Sequence, residues 1–244
     1  MAKNKNYKYN ANAEKEAAAL AAAKKKKKNV IALIVTLLVL AIIGGCVTAI
    51  VLALRPSDDC AYYADREFKE EDVTYVELKL EGYKKPIVIL LDESIAPITV
   101  KNFVSLVEKG FYDGLTFHRI IKGFMMQGGD DSHLPEDEQA TSIKGEFLSN
   151  GYKNELMHKR GVISMASTSV ADSASSGFFI CDADAPHLDG DYASFGYVLE
   201  GMRTVDKIID SAIPHVVGGN GQIPEKSHQP VIEYIRILDD YKAK

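Results

Sequence analysis

Cysteine is scarce and histidine is scattered. Three Cys, at positions 46, 60 and 181 of 244, do not make a disulfide framework. Cys46 sits in an apolar run, Cys60 among polar residues, and Cys181 directly after Phe178-Phe179-Ile180, so each reads as a small hydrophobe or an isolated thiol. His118, His133, His158, His187, His215 and His228 show no metal-ligand spacing with one another or with Cys. No metal and no other cofactor is expected. The Ser-rich run from Ser167 to Ser176 lacks the His and carboxylate arrangement that would activate a nucleophile, and reads as a surface loop. Residues 29–54 contain no charged side chain at all.

That uncharged stretch divides the chain. Val30 to Leu54 is rich in Val, Ile, Leu and Ala, and as a helix rising about 1.5 Å per residue it would extend roughly 37 Å. A hydrocarbon core of about 30 Å accommodates one tilted pass of that length. The Lys24 to Lys28 run before it predicts a cytoplasmic N-terminus and an extracytoplasmic remainder, a single-pass protein of the cell membrane. A cleavable signal would have a shorter apolar region followed by polar sequence. Ile43-Gly44-Gly45-Cys46 is also similar to a bacterial lipoprotein cleavage box, which leaves an alternative anchored through Cys46; against it, Val47 to Leu54 stays apolar.

Charge follows the same division. Residues 1–28 hold nine Lys against Glu14 and Glu16, a net +7, among Ala runs that cannot bury a core. Because the whole chain carries −5 and residues 29–54 carry nothing, residues 55–244 carry −12. An acidic folded part argues against nucleic acid as a partner. The expected organisation is a basic cytoplasmic tail over 1–28, a transmembrane anchor over 29–54, a linker over 55–72 and one folded domain over 73–241.

Within that domain the periodicity is mostly that of strands. Val73 to Leu80 alternates, and Ile87 to Leu91 is a short apolar run after Pro86, so the two are expected to pair through Glu81 to Lys85. Further strands are expected at Phe117 to Ile121, Met125 to Gly128, Gly161 to Met165, Phe178 to Cys181, Ala193 to Val198 and Ile232 to Leu238. A helix is expected from Ala96 to Lys109, with Pro97 in its first turn, Gly110 as C-terminal cap, and Val100, Phe103, Val104 and Val107 on one buried face. A second helix follows Gly201, with Val205, Ile208 and Ile209 at matching spacing. The fold class is mainly β: a closed antiparallel barrel whose ends two helices plug.

Phe117 to Asp130 carries the chemistry: Phe-His-Arg-Ile-Ile-Lys-Gly-Phe-Met-Met-Gln-Gly-Gly-Asp. A cation at Arg119, an apolar cluster at Phe124, Met125 and Met126, and an amide at Gln127 suit a surface that grips an apolar ring beside a peptide bond. The run resembles the signature of the cyclophilin-type peptidyl-prolyl cis-trans isomerases. Gly161-Val162-Ile163-Ser164-Met165-Ala166, Phe178-Phe179-Ile180-Cys181 and His187-Leu188-Asp189-Gly190 followed by Phe195-Gly196 are similar to its later signatures, in the same order. Ile143 to Asn154 is similar to bacterial members in particular.

The resemblance implies an eight-stranded antiparallel barrel capped by two helices, with a groove on its outer face. It implies Arg119 as the catalytic cation, oriented by Gln127. Phe124, Met125, Phe179 and Leu188 would form the proline pocket, the backbone at Ala166 and Ser167 would hold the residue before proline, and His118 and Tyr192 would line the groove. The partners implied are proline-containing polypeptides, unfolded or partly folded exported proteins. The sequence departs from the family at Gly177, where members usually carry Gln, at His187, where many carry Trp, and at the acidic run Asp131 to Gln139, where many have a Gly-rich turn. That run is expected to place Asp131, Glu136, Asp137 and Glu138 at the groove's edge. A non-catalytic proline-peptide-binding module or holdase at the membrane surface is the alternative; retention of Arg119, Gln127 and Phe179 together favours catalysis.

Overall fold

The structure, a computed structural model, describes residues 69–241, all within a compact unit spanning Ser57–Lys244. The basic tail, the apolar span over 29–54 and most of the linker lie outside the described residues. Among the described residues no helix is long and apolar enough to cross a membrane.

Eight strands form one antiparallel sheet: β1 (Val73–Leu80), β2 (Ile87–Asp92), β3 (Phe117–Ile121), β4 (Met125–Gly128), β5 (Val162–Met165), β6 (Phe178–Cys181), β7 (Ser194–Glu200) and β8 (Ile232–Ile237). Their order across the sheet is β3-β4-β6-β5-β7-β2-β1-β8. The alternation in β1 appears as burial of Val76, Leu78 and Leu80 between half-exposed neighbours. β2, apolar up to Asp92, is buried along its whole length.

The expected closed barrel is corrected in one respect. The ladder runs from β3 to β8 and stops there, so the sheet is curled and its two edge strands share no ladder. A single bridge, Thr116 to Val231, joins their leading ends, flanked by Phe117 N–H to Pro230 C=O at 2.9 Å and Ile232 N–H to Leu115 C=O at 2.8 Å. An eight-strand pattern specifies the strands but not whether the first and last of the sheet run long enough together to pair.

Helix α1 (Pro97–Glu108) and helix α2 (Met202–Ala212) pack on the sheet. α1 buries Thr99, Val100, Phe103, Leu106 and Val107, whereas Val104 is only half-buried. Its inward stripe is therefore turned towards Leu106 relative to the expected one. Phe103 meets Phe178 edge-on at 5.4 Å and Phe195 at 5.3 Å, which ties the helix to β6 and β7. The start of α1 is fixed by Glu146, whose buried carboxylate accepts from Ile98 N–H at 3.1 Å, Thr99 N–H at 2.8 Å and Thr99 Oγ1 at 2.7 Å. These N–H groups have no partner inside the helix, and an anion there also faces the positive end of its dipole. α2 buries Val205, Ile208 and Ile209, as their spacing predicts.

Candidate active site

Register assembles the site. Arg119 stands opposite Gln127 in the β3–β4 ladder, Gln127 opposite Phe179 in β4–β6, and Phe179 opposite Ser164 in β5–β6. Directly paired residues share a face, so the four form one row across four strands. The alternate positions Met126, Ile163 and Ile180 point the other way, into the core.

Arg119 is held from two sides. Its Nη1 donates to Gln127 Oε1 at 3.0 Å, and its Nε donates to the Asn220 carbonyl at 2.8 Å. A guanidinium has five N–H donors, so these two bonds fix its plane and leave others to be directed at a ligand. Gln127 is thus the side-chain acceptor for Arg119 across the β3–β4 ladder.

The apolar residues divide into floor and rim. Met125, Phe179 and Leu188 are buried, while Phe124 and Tyr192 are half-buried. Tyr192 meets Phe179 edge-on, with centroids 6.0 Å apart and planes at 83°, and Phe124 lies 5.1 Å from the exposed His187 ring. The turn carrying Phe124 is fixed by Asp182, which accepts from Gly123 N–H at 2.6 Å and donates its own N–H to Phe124 C=O at 2.8 Å. Arg160 holds Asp182 in place through Nη1 at 2.8 Å. Ala166 and Ser167 follow β5 and are half-buried; Ala166 N–H donates to Gly177 C=O at 2.9 Å.

His118 is half-buried beside Arg119, and its Nδ1 is buried without a hydrogen-bond partner. Burial lowers its pKa from 6.5; Asp130 pulls the other way and the Arg119 cation pushes in the same direction as burial. It is therefore neutral at pH 7, and Arg119 is the cation at this end of the row.

Three features lay outside the sequence reading. His158 is buried behind the pocket, stacked on Phe179 with centroids 5.9 Å apart, and bonded through Nδ1 to Asp189 Oδ1 and through Nε2 to Ser164 Oγ, each at 3.0 Å. Asp182 and the backbone of Asn220 complete the list. Contacts between segments distant in sequence bring these residues to the groove, and no local pattern marks them.

The acidic loop divides into a buried acid and three exposed ones, against the expectation that all four stand at the groove's edge. Asp131 is buried: its Oδ2 accepts Ala140 N–H at 2.8 Å and its C=O accepts Leu134 N–H at 2.8 Å, so it closes the loop's base. Glu136, Asp137 and Glu138 remain exposed in a short 3-10 turn. A separate cleft of about 290 Å³ lies where α1 ends against β8, lined by residues such as Val107, Asp113 and Arg236, and contains none of the expected groove residues.

Comparison with known proteins identifies relatives of one family. The chain is 44% identical over 146 residues to peptidyl-prolyl cis-trans isomerase A of Dickeya dadantii, covering 57% of this chain and 74% of that protein. It is 42% identical over 147 residues to a peptidyl-prolyl cis-trans isomerase of Helicobacter pylori, covering 58% of this chain and 86% of that one. The crystal structure of a cyclophilin-type peptidyl-prolyl cis-trans isomerase of Cryptosporidium parvum is similar at a TM-score of 0.57 and 25% identity, covering 69% of this chain and 99% of that one. A structure of the same Cryptosporidium protein in the presence of the dipeptide Ala-Pro is similar at a TM-score of 0.56. Residues 75–236 match the family model for cyclophilin-type peptidyl-prolyl cis-trans isomerases, and the chain belongs to that family.

Proposed function

We propose that the row from Arg119 to Phe179 binds an extended X-Pro segment and twists its amide, and that the segments it serves belong to exported proteins folding at the outer face of a membrane. Rotation about an X-Pro bond crosses a barrier of about 18–20 kcal/mol because amide resonance must be broken. No bond is made or cleaved. A catalyst need only bind the twisted amide more tightly than either planar form, and each 1.4 kcal/mol or so of that preference is tenfold in rate. On twisting, the prolyl nitrogen regains its lone pair, and Arg119, always charged, donates a hydrogen bond to it. Met125, Phe179 and Leu188, with Phe124 at the rim, take the proline ring. Main-chain groups at Ala166 and Ser167 hold the preceding residue, while His118 and Tyr192 border the groove.

The observation that carries this reading is the double anchoring of Arg119, by Gln127 and by Asn220, in the same cross-strand row as Phe179. Exchange spectroscopy of an Ala-Pro peptide tests it. The protein should speed exchange at catalytic concentration, and binding without acceleration would indicate the non-catalytic module instead.

The membrane part rests on sequence: an uncharged run from Val30 to Leu54 behind Lys24 to Lys28. Protease added to wall-stripped cells should digest the folded domain and leave a small membrane-held fragment. Protection of the domain would reverse the orientation, and labelling of Cys46 by a lipid precursor would support the lipoprotein alternative.

A further inference from the structure

We propose that the Val217–Gln222 hairpin is a positioning element for Arg119, held in place by the stacked rings of His215 and His228. This deepens the proposed function and rests on Arg119 being its catalytic cation.

β3 is an edge strand of the sheet, and a bare edge presents unpaired N–H and C=O groups. The hairpin covers that edge at the catalytic residue. Arg119 and Gln222 form a bridge, Ile120 N–H donates to Gly221 C=O at 2.7 Å, and Ile223 N–H donates to His118 C=O at 2.9 Å. Val217 and Gln222 close the hairpin on itself, with Val217 N–H to Gln222 C=O at 2.8 Å. Its tip, Gly218-Gly219-Asn220-Gly221, turns the Asn220 carbonyl onto Arg119 Nε. With Gln127 alone, one bond at Nη1 would leave the guanidinium free to swing; the carbonyl at Nε makes a second fixed point.

This approach requires glycine at 221. Its φ is +80°, and a Cβ there would stand 2.3 Å from Ile121 Cγ1 and 2.7 Å from the Ile120 carbonyl oxygen. A side chain could tilt Ile121 aside, but the backbone oxygen would still force the tip away from β3. The base of the loop is clasped separately. His215 precedes the hairpin, His228 precedes β8, and their rings stack with centroids 3.9 Å apart. Glu225 Oε2 lies 3.2 Å from His228 Nδ1, and Gln229 Nε2 donates to Ile223 C=O at 2.7 Å. None of these groups lies in the proline pocket, so they act on the reaction through Arg119.

The test is a cycle of variants in the full chain, reading peptide exchange rate and peptide affinity separately. Gly221→Ala should slow exchange by on the order of tenfold to a hundredfold, the cost of misplacing a catalytic group by about 1 Å, while the peptide binds as before. His215→Ser/His228→Ser, at positions away from the core, should slow it in the same direction by less. Neither change should slow exchange further when Arg119 is already Ala. A wild-type rate in Gly221→Ala, a slowing that adds to that of Arg119→Ala, or a loss traced wholly to weaker binding overturns the inference while leaving the function intact. If Gly221→Ala does not fold, the His pair decides, and a wild-type rate there overturns it. An Arg119→Ala protein as fast as wild type would remove the catalytic reading and this inference with it.

Discussion

The His158 ring lies against Phe179, 16° from parallel, beneath the groove proposed to take the proline ring. The imidazole is buried, and both of its nitrogens are engaged, one by Ser164 within the row and the other by Asp189 next to Leu188. One side chain therefore supports the floor of the pocket and joins it to the loop that supplies another wall. A planar ring fits between them, and its neutral form suits the site, because burial lowers its pKa from 6.5 while Asp189 pulls it back up.

A pH dependence of stability follows from that direction. The folded protein holds the His158 proton less tightly than the unfolded chain does. At pH above 6.5 both states are neutral and the site contributes in full; as pH falls below 6.5 the unfolded chain protonates first and stability declines. Melting temperatures of wild type and His158→Asn, measured from pH 7.5 down to about pH 5, should diverge from parallel, the wild type losing more. Because His118 is shifted in the same direction, the comparison with the variant isolates His158. Parallel curves would show that His158 carries no such linkage.

Arg119→Ala should lower kcat/KM by on the order of 10²–10³, the range for losing a single preorganised donor. The two hydrogen bonds it makes are partly solvated, and together they should move Tm by no more than about 5 °C. Peptide exchange beside thermal denaturation separates the two effects. Undiminished exchange would exclude Arg119 from the mechanism.

The individual strands and the Arg119–Gln127 end of the row were legible because both rest on local pattern. Alternation marked β1, apolar runs marked β2 and β6, and the run from Phe117 to Gln127 contains its own hairpin, so Arg119 and Gln127 meet across a single turn. What was not legible comes from distant sequence. Arg119 and Asn220 are 101 residues apart, and Glu146 caps a helix 47 residues before it. Asp131 reads as one more surface acid beside Glu136 to Glu138, and only the loop's path, bringing Ala140 N–H to its carboxylate, buries it. The seam between β3 and β8 belongs to the same class, since it depends on how far the whole sheet curls.

Glu146→Ala should destabilise the domain by about 2–3 kcal/mol, since it strands buried donors on Ile98 and Thr99 and removes a helix cap at once. Urea denaturation checks this. Well below the shifted transition, the exchange rate should be unchanged, because the Glu146 carboxylate bonds to the start of α1. A drop of less than about 0.5 kcal/mol, the ordinary scatter of surface substitutions, would mean that water replaces the carboxylate.

Gly177→Gln should fold normally. A Cβ at that position meets only Ala166 Cβ at 3.4 Å and Gly128 C=O at 3.9 Å, ordinary contact distances. The added amide would stand beside Ala166, where the residue before proline is proposed to lie, and should tighten binding of an Ala-Pro peptide with Tm nearly unchanged. Titration by chemical shift measures it. Weaker binding would show that the open groove at Gly177 admits a bulkier segment that Gln excludes.

The acidic loop should select among clients by charge. Burial of Asp131 leaves Glu136, Asp137 and Glu138 exposed in the turn, and Asp130 at the loop's start already acts electrostatically on His118 in the groove. Three exposed carboxylates are individually weak, so their joint field should act on encounter and affinity more than on the twisting step. Of two otherwise identical Pro peptides, one with Lys and one with Glu upstream of the proline-preceding residue, the Lys peptide should bind more tightly at low salt. The preference should shrink as ionic strength passes about 0.15 M, where the Debye length is near 8 Å. Replacing Glu136, Asp137 and Glu138 by Gln, Asn and Gln should abolish it without changing Tm, since none of the three is buried. Asp131→Asn should instead loosen the loop, because it weakens the acceptor of Ala140 N–H, and should lower Tm. Indifference to peptide charge at low salt would reduce the three acids to solubility alone.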